Sequence, residues 1–410
     1  MTATTTLEEC FDPLGEHFDD PYPIYAAARD SAPIFYSPRF DAWIVTRYED
    51  VRDALRRPEV FGSANALRPL SPVSPRAMQV LMQCHPLTEA SITTDGEVQR
   101  PFRALLNRAV APKKVAGLRP LLRRRAEALV DGFVENGRAD LVEEFAYPLA
   151  LETIAEIAGL DPEDLPVVKR GSVSVSALTF ARLDEDAQVA AARDLQAFQR
   201  LLLDHLERRR EAPRDDALGA IAAALAPGRA PLEFMQTASM LTAAQELVLP
   251  GHTTSVAMIG NGLVRLLEQR ERWELLVERP DLVPGAVEEV ARFDNPVHGF
   301  LRVTTCPTRL AGRDLPAGAE VLLVYASANR DEALCARPEV FDLTRTPTHH
   351  LGFALGPHFC PGAPLGRMQV GIALETLLRR LPGLRPDPDH PVVLRRDFTM
   401  RGPLAFHASW

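Results

Sequence analysis

Apolar residues recur at three- and four-residue spacing from Glu97 to about Leu225, in a stretch dominated by Ala, Leu, Arg and Glu. That period gathers the apolar side chains on one helical face, so this stretch is predicted to be mostly helix. The longest helical candidate covers 231–268, with a break expected at Pro250-Gly251. The helical pattern returns from Leu365 onward. Strand-like runs are short: 34–37, 43–46, 320–324 and, near the end, 392–394 and 404–407. The segment 64–94 is rich in Pro, Ser and polar residues and is too long for a simple connection, so it reads as a functional loop. Prolines punctuate the whole chain, and neither a low-complexity linker nor an internal repeat divides it. The pattern predicts one continuous domain over 1–410, mainly α with a minor β portion.

Composition narrows the class. With 410 residues, 46% hydrophobic and 25% charged, the chain can bury a core able to enclose a large cofactor. A net charge of −9 argues against nucleic-acid binding, which needs a basic excess. The acidic N-terminus lacks the apolar core of a signal peptide, and no apolar run approaches the ~18 residues of a membrane span. Cys10, Cys84, Cys306, Cys335 and Cys360 are scattered, odd in number and free of Cys-x-x-Cys pairing. Neither a disulfide framework nor a zinc site is expected, and a reduced, cytoplasmic setting is.

One cysteine has unusual surroundings: Phe353-Ala-Leu-Gly356-Pro-His358-Phe-Cys360-Pro-Gly362. Glycines four residues before and two after it permit a tight loop whose amides point at the sulfur. The helix expected from Leu365 puts that sulfur just before a helix N-terminus, which favours an anion. Taken alone, the cysteine also suits a reactive thiolate, half of a disulfide or a buried structural thiol.

The full spacing Phe-x-x-Gly-x-x-x-Cys-x-Gly resembles the haem-binding loop of the cytochrome P450 family. The resemblance covers most of the chain, most strongly from about Thr237 to Met368. It implies the P450 fold, with haem b between the long central helix and the cysteine loop and Cys360 as the iron ligand. Glu289-Val-Ala-Arg292 places an acid and a base on one helix face. With Asn329-Arg330-Asp331 and Phe341-Asp342-Leu-Thr-Arg345 following in order, it resembles the family's buried network, here Glu289, Arg292 and Arg345. Its implied role is structural. Arg302, after Pro296-Val-His-Gly-Phe-Leu, matches the family's propionate-binding arginine, and His358 matches a second propionate donor. Gln99 and Arg103, one helical turn apart, resemble the pair at the other propionate, although most relatives carry histidine where Gln99 stands. Phe353, Gly356 and Gly362 complete the implied haem contacts.

Leu249-Pro250-Gly251-His252-Thr253-Thr254-Ser255 resembles the family's Ala/Gly-Gly-x-Asp/Glu-Thr pattern, which lies over the oxygen-binding face of the haem. Gly251 and Thr254 match it. Pro250 takes the small-residue position, and Thr253 stands where the family carries an acid. Proton delivery is therefore expected to rest on Thr254 with water, His252 or a substrate group.

The resemblance implies a haem-thiolate monooxygenase that hydroxylates a hydrophobic or aromatic small molecule, in secondary metabolism. Its pocket is expected to be lined by the 64–94 loop, residues around 170–182, the stretch from Leu247 to Thr254, and Val297, His298, Phe300, Phe398 and Met400. His85, His298 and Arg182 are candidates for polar recognition. No Gly-x-Gly-x-x-Gly is present, since Gly260-Asn-Gly262 runs on to Arg265 within a helix, so no bound NAD or flavin is expected. Electrons would come from a separate ferredoxin and its reductase. Lys113, Lys114, Arg119, Arg123, Arg124 and Arg125 form either a solvated helix face or a docking face for that acidic partner. A monomer is expected. Two other readings stand beside this one: an oxidase of the same fold that couples or cyclises an aromatic substrate without inserting oxygen, and a haem-binding carrier or sensor without turnover.

Overall fold

The computed structural model describes residues 6–410, so the first five residues of the acidic N-terminus lie outside the described residues. The predicted helical stretch holds Gly96–Ala109, Pro112–Phe133, Tyr147–Ala158, Leu165–Phe180, Glu185–Glu211 and Ala217–Leu225. Their boundaries follow local chemistry. Asp184 and Asp216 cap their helices by accepting the N–H of Ala187 and Gly219, and Pro112 occupies a first-turn position where no N–H is needed.

The long central helix is in two pieces, Phe234–Val248 and Thr253–Leu267. Pro250 has no N–H to continue the ladder, and the backbone at His252 leaves helical geometry at φ −130° and ψ −41°. Gly251 is required by packing: a Cβ there would fall 2.5 Å from the Ile154 side chain on Tyr147–Ala158. The helix Ala363–Arg380 crosses the second piece where Gly366 meets Ser255, and a Cβ at Gly366 would lie 3.8 Å from Ser255 Oγ. That crossing brings the end of the cysteine loop beside the break in the central helix. The main apolar core surrounds these helices, including Leu247, Val256, Ile259, Leu263, Met368 and Ile372.

The β portion has a five-stranded sheet ordered Ile34–Ser37, Ala42–Val45, Glu320–Val324, Gly299–Thr304 and Phe61–Gly62, a three-stranded sheet of Arg138–Asp140, His407–Ser409 and Arg385–Pro386, and a two-stranded one of Thr308–Leu310 and Arg313–Leu315. Only the pairing of Ala42–Val45 with Glu320–Val324 is parallel. Arg302 sits opposite Val321 and is thereby fixed in an inner strand.

Three expectations need adjustment. The 392–394 run is not a strand; Leu394 makes a single bridge to Pro403. The last strand is His407–Ser409 rather than 404–407, paired with Arg138–Asp140. Prolines at 391 and 403 cannot supply ladder N–H groups, which displaces the pairing toward the C-terminus. The 64–94 segment contains a helix, Pro75–Leu81, capped by Ser74, whose hydroxyl accepts the Ala77 N–H at 3.2 Å. Ser-Pro at N-cap and N1 was the legible signal for it.

Candidate active site

The cysteine loop is set by its backbone. Gly356 has φ +70°, and a Cβ there would sit 2.8 Å from Leu55 O, so only glycine fits. The Cys360 N–H donates to Phe353 O at 2.9 Å, closing the loop. Gly362 differs from expectation: its φ is −80°, a region open to any residue. Its contribution is an amide, which with that of Ala363 points at the Cys360 sulfur. Burial pushes the Cys360 thiol up; those two amides, Arg103 and Arg367 oppose the shift. A metal cation at the sulfur would supply the missing counter-charge. Phe353 is held from behind by Arg367, whose guanidinium lies 4.3 Å from the ring centre.

Two guanidiniums that the sequence marks for the cofactor meet no carboxylate within 4.0 Å among the described residues. Arg302 is 3% exposed and its Nη1 donates only to the neighbouring Leu301 O, at 2.7 Å. Arg103 is half-buried and donates to Phe359 O, one residue before the cysteine. A buried cation without an anion is costly, and a flat cofactor bearing two carboxylates would relieve both. Haem fits this donor set. Gln99 and His358, expected at different propionates of the cofactor, are in contact: Gln99 Nε2 lies 3.2 Å from His358 Nδ1 and donates to Ser91 O at 3.0 Å. His358 Nε2 lies 2.8 Å from Asp95 Oδ1. Burial raises the Asp95 pKa, but His358 and the N–H and hydroxyl of Ser63 outweigh it, and the net shift is downward. Asp95 was missed in the sequence; as the residue before a helix start, it was a detectable N-cap.

The central helix is buried around most of its girth but open along one face. Glu246, Leu249, Pro250 and Thr254 retain exposure while Leu247, Val248, His252, Thr253 and Ser255 are buried. Spacings of three, four and eight residues put the open positions in one stripe. Thr254 Oγ1 donates to Pro250 O at 3.1 Å, and Thr253 Oγ1 to Leu249 O at 3.0 Å. His252 is fully buried, with Nδ1 2.9 Å from Val248 O and Nε2 unpartnered. Burial lowers its pKa to about 4, so the ring is neutral at physiological pH. Thr254 is thus the hydroxyl on the open stripe, and His252 is off it.

Behind the loop lies the predicted acid–base network. Glu289 accepts Arg292 Nη2 at 2.7 Å, Arg345 Nε at 3.2 Å and the Asp342 N–H at 2.8 Å. Arg292 also donates to Asn329 O and Pro338 O, at 3.0 and 2.8 Å. Two further acids escaped the sequence reading. Glu288 takes Arg367 at 2.6 and 2.9 Å and His350 at 3.1 Å; burial opposes its ionisation, but these partners pull its pKa to about 2. Asp294 takes Arg265 at 2.7 Å, Arg401 at 3.2 Å and the Tyr22 hydroxyl at 3.0 Å, and its pKa also falls to about 2 against full burial.

The expected pocket residues divide. His298, Phe300 and Phe398 gather beside the sheet: the His298 N–H donates to Phe398 O at 2.9 Å, and Phe300 stacks edge-on against Phe180; Met400 is buried two residues beyond Phe398. Val297 packs on the neighbouring cluster of Tyr48, Leu323 and Tyr325. Leu247 instead belongs to the helical core, leaving Glu246 and Leu249 on the open face. Of the polar candidates, His298 is buried against Tyr25, whose hydroxyl lies 3.1 Å from its Nδ1, and burial drives its pKa well down. Arg182 is committed to Asp12 at 2.9 Å. His85 stacks on Phe234 with centroids 4.8 Å apart.

Comparison with known proteins agrees with this geometry. The cytochrome P450 family model matches residues 263–398. A Steroid C26-monooxygenase of Mycolicibacterium smegmatis is 30% identical over 92% of this chain and 90% of its own length. A Vitamin D(3) 25-hydroxylase of Pseudonocardia autotrophica is 32% identical, over 94% and 92% respectively. Among solved structures, cytochrome P450 CREJ in complex with (4-ethylphenyl) dihydrogen phosphate superposes with a TM-score of 0.91 at 27% identity, covering 98% of this chain and all of that one. The residues around the sulfur, the unpaired arginines and the relatives lead to one assignment: this chain belongs to the cytochrome P450 family and is a haem-dependent monooxygenase of it.

Proposed function

We propose that the chain is a single P450 domain that hydroxylates a hydrophobic or aromatic small molecule in secondary metabolism, working in the cytoplasm with electrons from a separate ferredoxin and its reductase. The observation that carries this reading is the Cys360 sulfur under two amide N–H groups, in a loop that runs into the helix crossing the second piece of the broken central helix at Ser255. Cys360 would ligate the haem iron, with Arg302, Arg103, Gln99 and His358 at its carboxylate edge and Phe353, Gly356 and Gly362 shaping the loop beneath it. Haem held this way supplies dioxygen activation, and a thiolate ligand favours O–O cleavage.

The chain's own residues do the rest. Thr254 Oγ1 presents a hydroxyl on the open face, where it can pass a proton inward from water. Thr253 supplies no acid, and at 3% exposed its hydroxyl lies off the open face. Leu249, Phe300, Phe398 and Met400 offer apolar contact, which suits a substrate with little charge. The relatives named for steroid and vitamin D hydroxylation support a bulky apolar substrate. On the basic helix, Arg123 is paired with Glu375 and Arg125 with Glu152 and Glu156. Lys113, Lys114, Arg119 and Arg124 are exposed and without an acidic partner among the described residues, which favours docking of an acidic donor.

A spin-state shift in the haem absorption, screened over apolar small molecules, identifies ligands. Product analysis under labelled dioxygen then decides the chemistry. Label in the product supports hydroxylation. Its absence supports the second reading, oxidative coupling, which the threonine at position 253 favours.

A further inference from the structure

Glu246 is an acid that the site described above leaves without a role. It is the one Asp, Glu, Lys or Arg between Phe234 and Val264, and it lies on the open stripe four residues before Pro250 and eight before Thr254. Its two oxygens accept the backbone N–H groups of Ile92, at 2.7 Å, and Ser91, at 3.0 Å. Other side chains stitch the same segment to the helices. Gln188 Oε1 accepts the Ser74 N–H at 2.7 Å, Gln199 Oε1 the His85 N–H at 2.9 Å, and Thr242 Oγ1 the Thr88 N–H at 3.1 Å. Those three clamps are neutral at every pH. Of these four Glu246 alone can change charge; the other ionic ties of the segment, Arg76 to Glu185 and Asp186 and Arg68 to Glu320, lie outside Thr88–Thr94.

We propose that Glu246 is a positioning residue that holds the Thr88–Thr94 segment over the substrate space, through a carboxyl whose proton sets how readily that segment opens. The placement of the segment over substrate rests on the proposed hydroxylase function and on the expectation that the 64–94 loop lines its pocket. The clamp itself rests on the two hydrogen bonds. Burial raises the Glu246 pKa to about 7, opposed by the amides of Ser91 and Ile92 and by Arg103. Arg103, on Gly96–Ala109, is the charge acting on it, and the titratable Asp95–His358 pair stands at the start of that helix.

The direction of the effect follows from linkage. Opening the segment admits water to the carboxyl, so its pKa relaxes toward the ordinary 4.5. The closed form therefore binds the proton more tightly. Its advantage is complete below about 4.5, is lost as pH rises to about 7, and is constant above that. Ionised Glu246 favours the open segment.

The test is hydrogen exchange at the Ser91 and Ile92 amides of the haem-loaded protein, corrected for intrinsic exchange, without substrate. The opening constant should rise about tenfold per pH unit up to about pH 7 and then level off. Glu246→Gln should abolish that slope, and Glu246→Asp should retain it. A flat wild-type profile, or an undiminished slope in Glu246→Gln, overturns the proposal; the second result would assign the slope to the Asp95–His358 pair. If Glu246→Gln does not fold, the wild-type profile still decides. Because no turnover is measured, failure here is separable from failure of the hydroxylase reading.

Discussion

Arg345 Nε lies 3.2 Å from both carboxylate oxygens of Glu289, on a carboxylate that is 3% exposed and already holds Arg292. One anion is thus shared by two guanidiniums, with the Asp342 N–H as a further donor. Such a cluster is stable only while every member is present. It ties Val283–Phe293 to the loop 336–345 that precedes the cysteine region.

Glu289→Ala would leave Arg292, 1% exposed, without its anion. The expected cost is about 3–5 kcal/mol, a large part of a domain's stability. Little haem-loaded protein should be recovered, and denaturant unfolding of what remains should show that loss. A fully loaded variant of near-native stability would refute the structural role.

Asp294 sets an acid limit on the fold. Its pKa is about 2 in the folded chain against an ordinary 3.8, so its contribution is present above 3.8 and is lost as pH falls toward about 2. The difference corresponds to about 2 kcal/mol. The stability gap between wild type and Asp294→Asn should therefore narrow by about that amount across this window. A gap independent of pH would show that the carboxylate is not held by Arg265 and Arg401.

The two adjacent threonines should behave differently. Thr254 lies on the open stripe, whereas Thr253 is 3% exposed and bonded to Leu249 O. Thr254→Ala should lower product formed per reductant consumed about tenfold or more, with peroxide released instead. Thr253→Ala should change that ratio little. Equal effects would mean that the open face has been misassigned.

Much of this was legible in the chain because it is local. The Phe353–Gly362 spacing, the Glu289-x-x-Arg292 pair and the Pro250-Gly251 break each declare themselves within a dozen residues. The overall mixture of long helices and short strands followed from periodicity in the same way. What escaped depends on long-range closure. Asp294 finds Arg265 and Arg401 from opposite directions along the chain, and Glu288 becomes significant only when Arg367 folds back on it. Leu247 and Glu246 are neighbours, yet the packing of their helix decides which of them faces the open side. Glu246 did carry a signal: a lone charge in an otherwise uncharged run from Phe234 to Val264. Such a residue needs a buried partner or a function.

The claim on which the account turns is that Cys360 holds haem iron through its thiolate, and the absorption spectrum of the reduced carbon monoxide complex tests it most directly. The wild-type protein should show the thiolate-type band, and Cys360→Ser should lose it even if haem remains bound through its carboxylates. Persistence of that band in Cys360→Ser would contradict the assignment of the ligand.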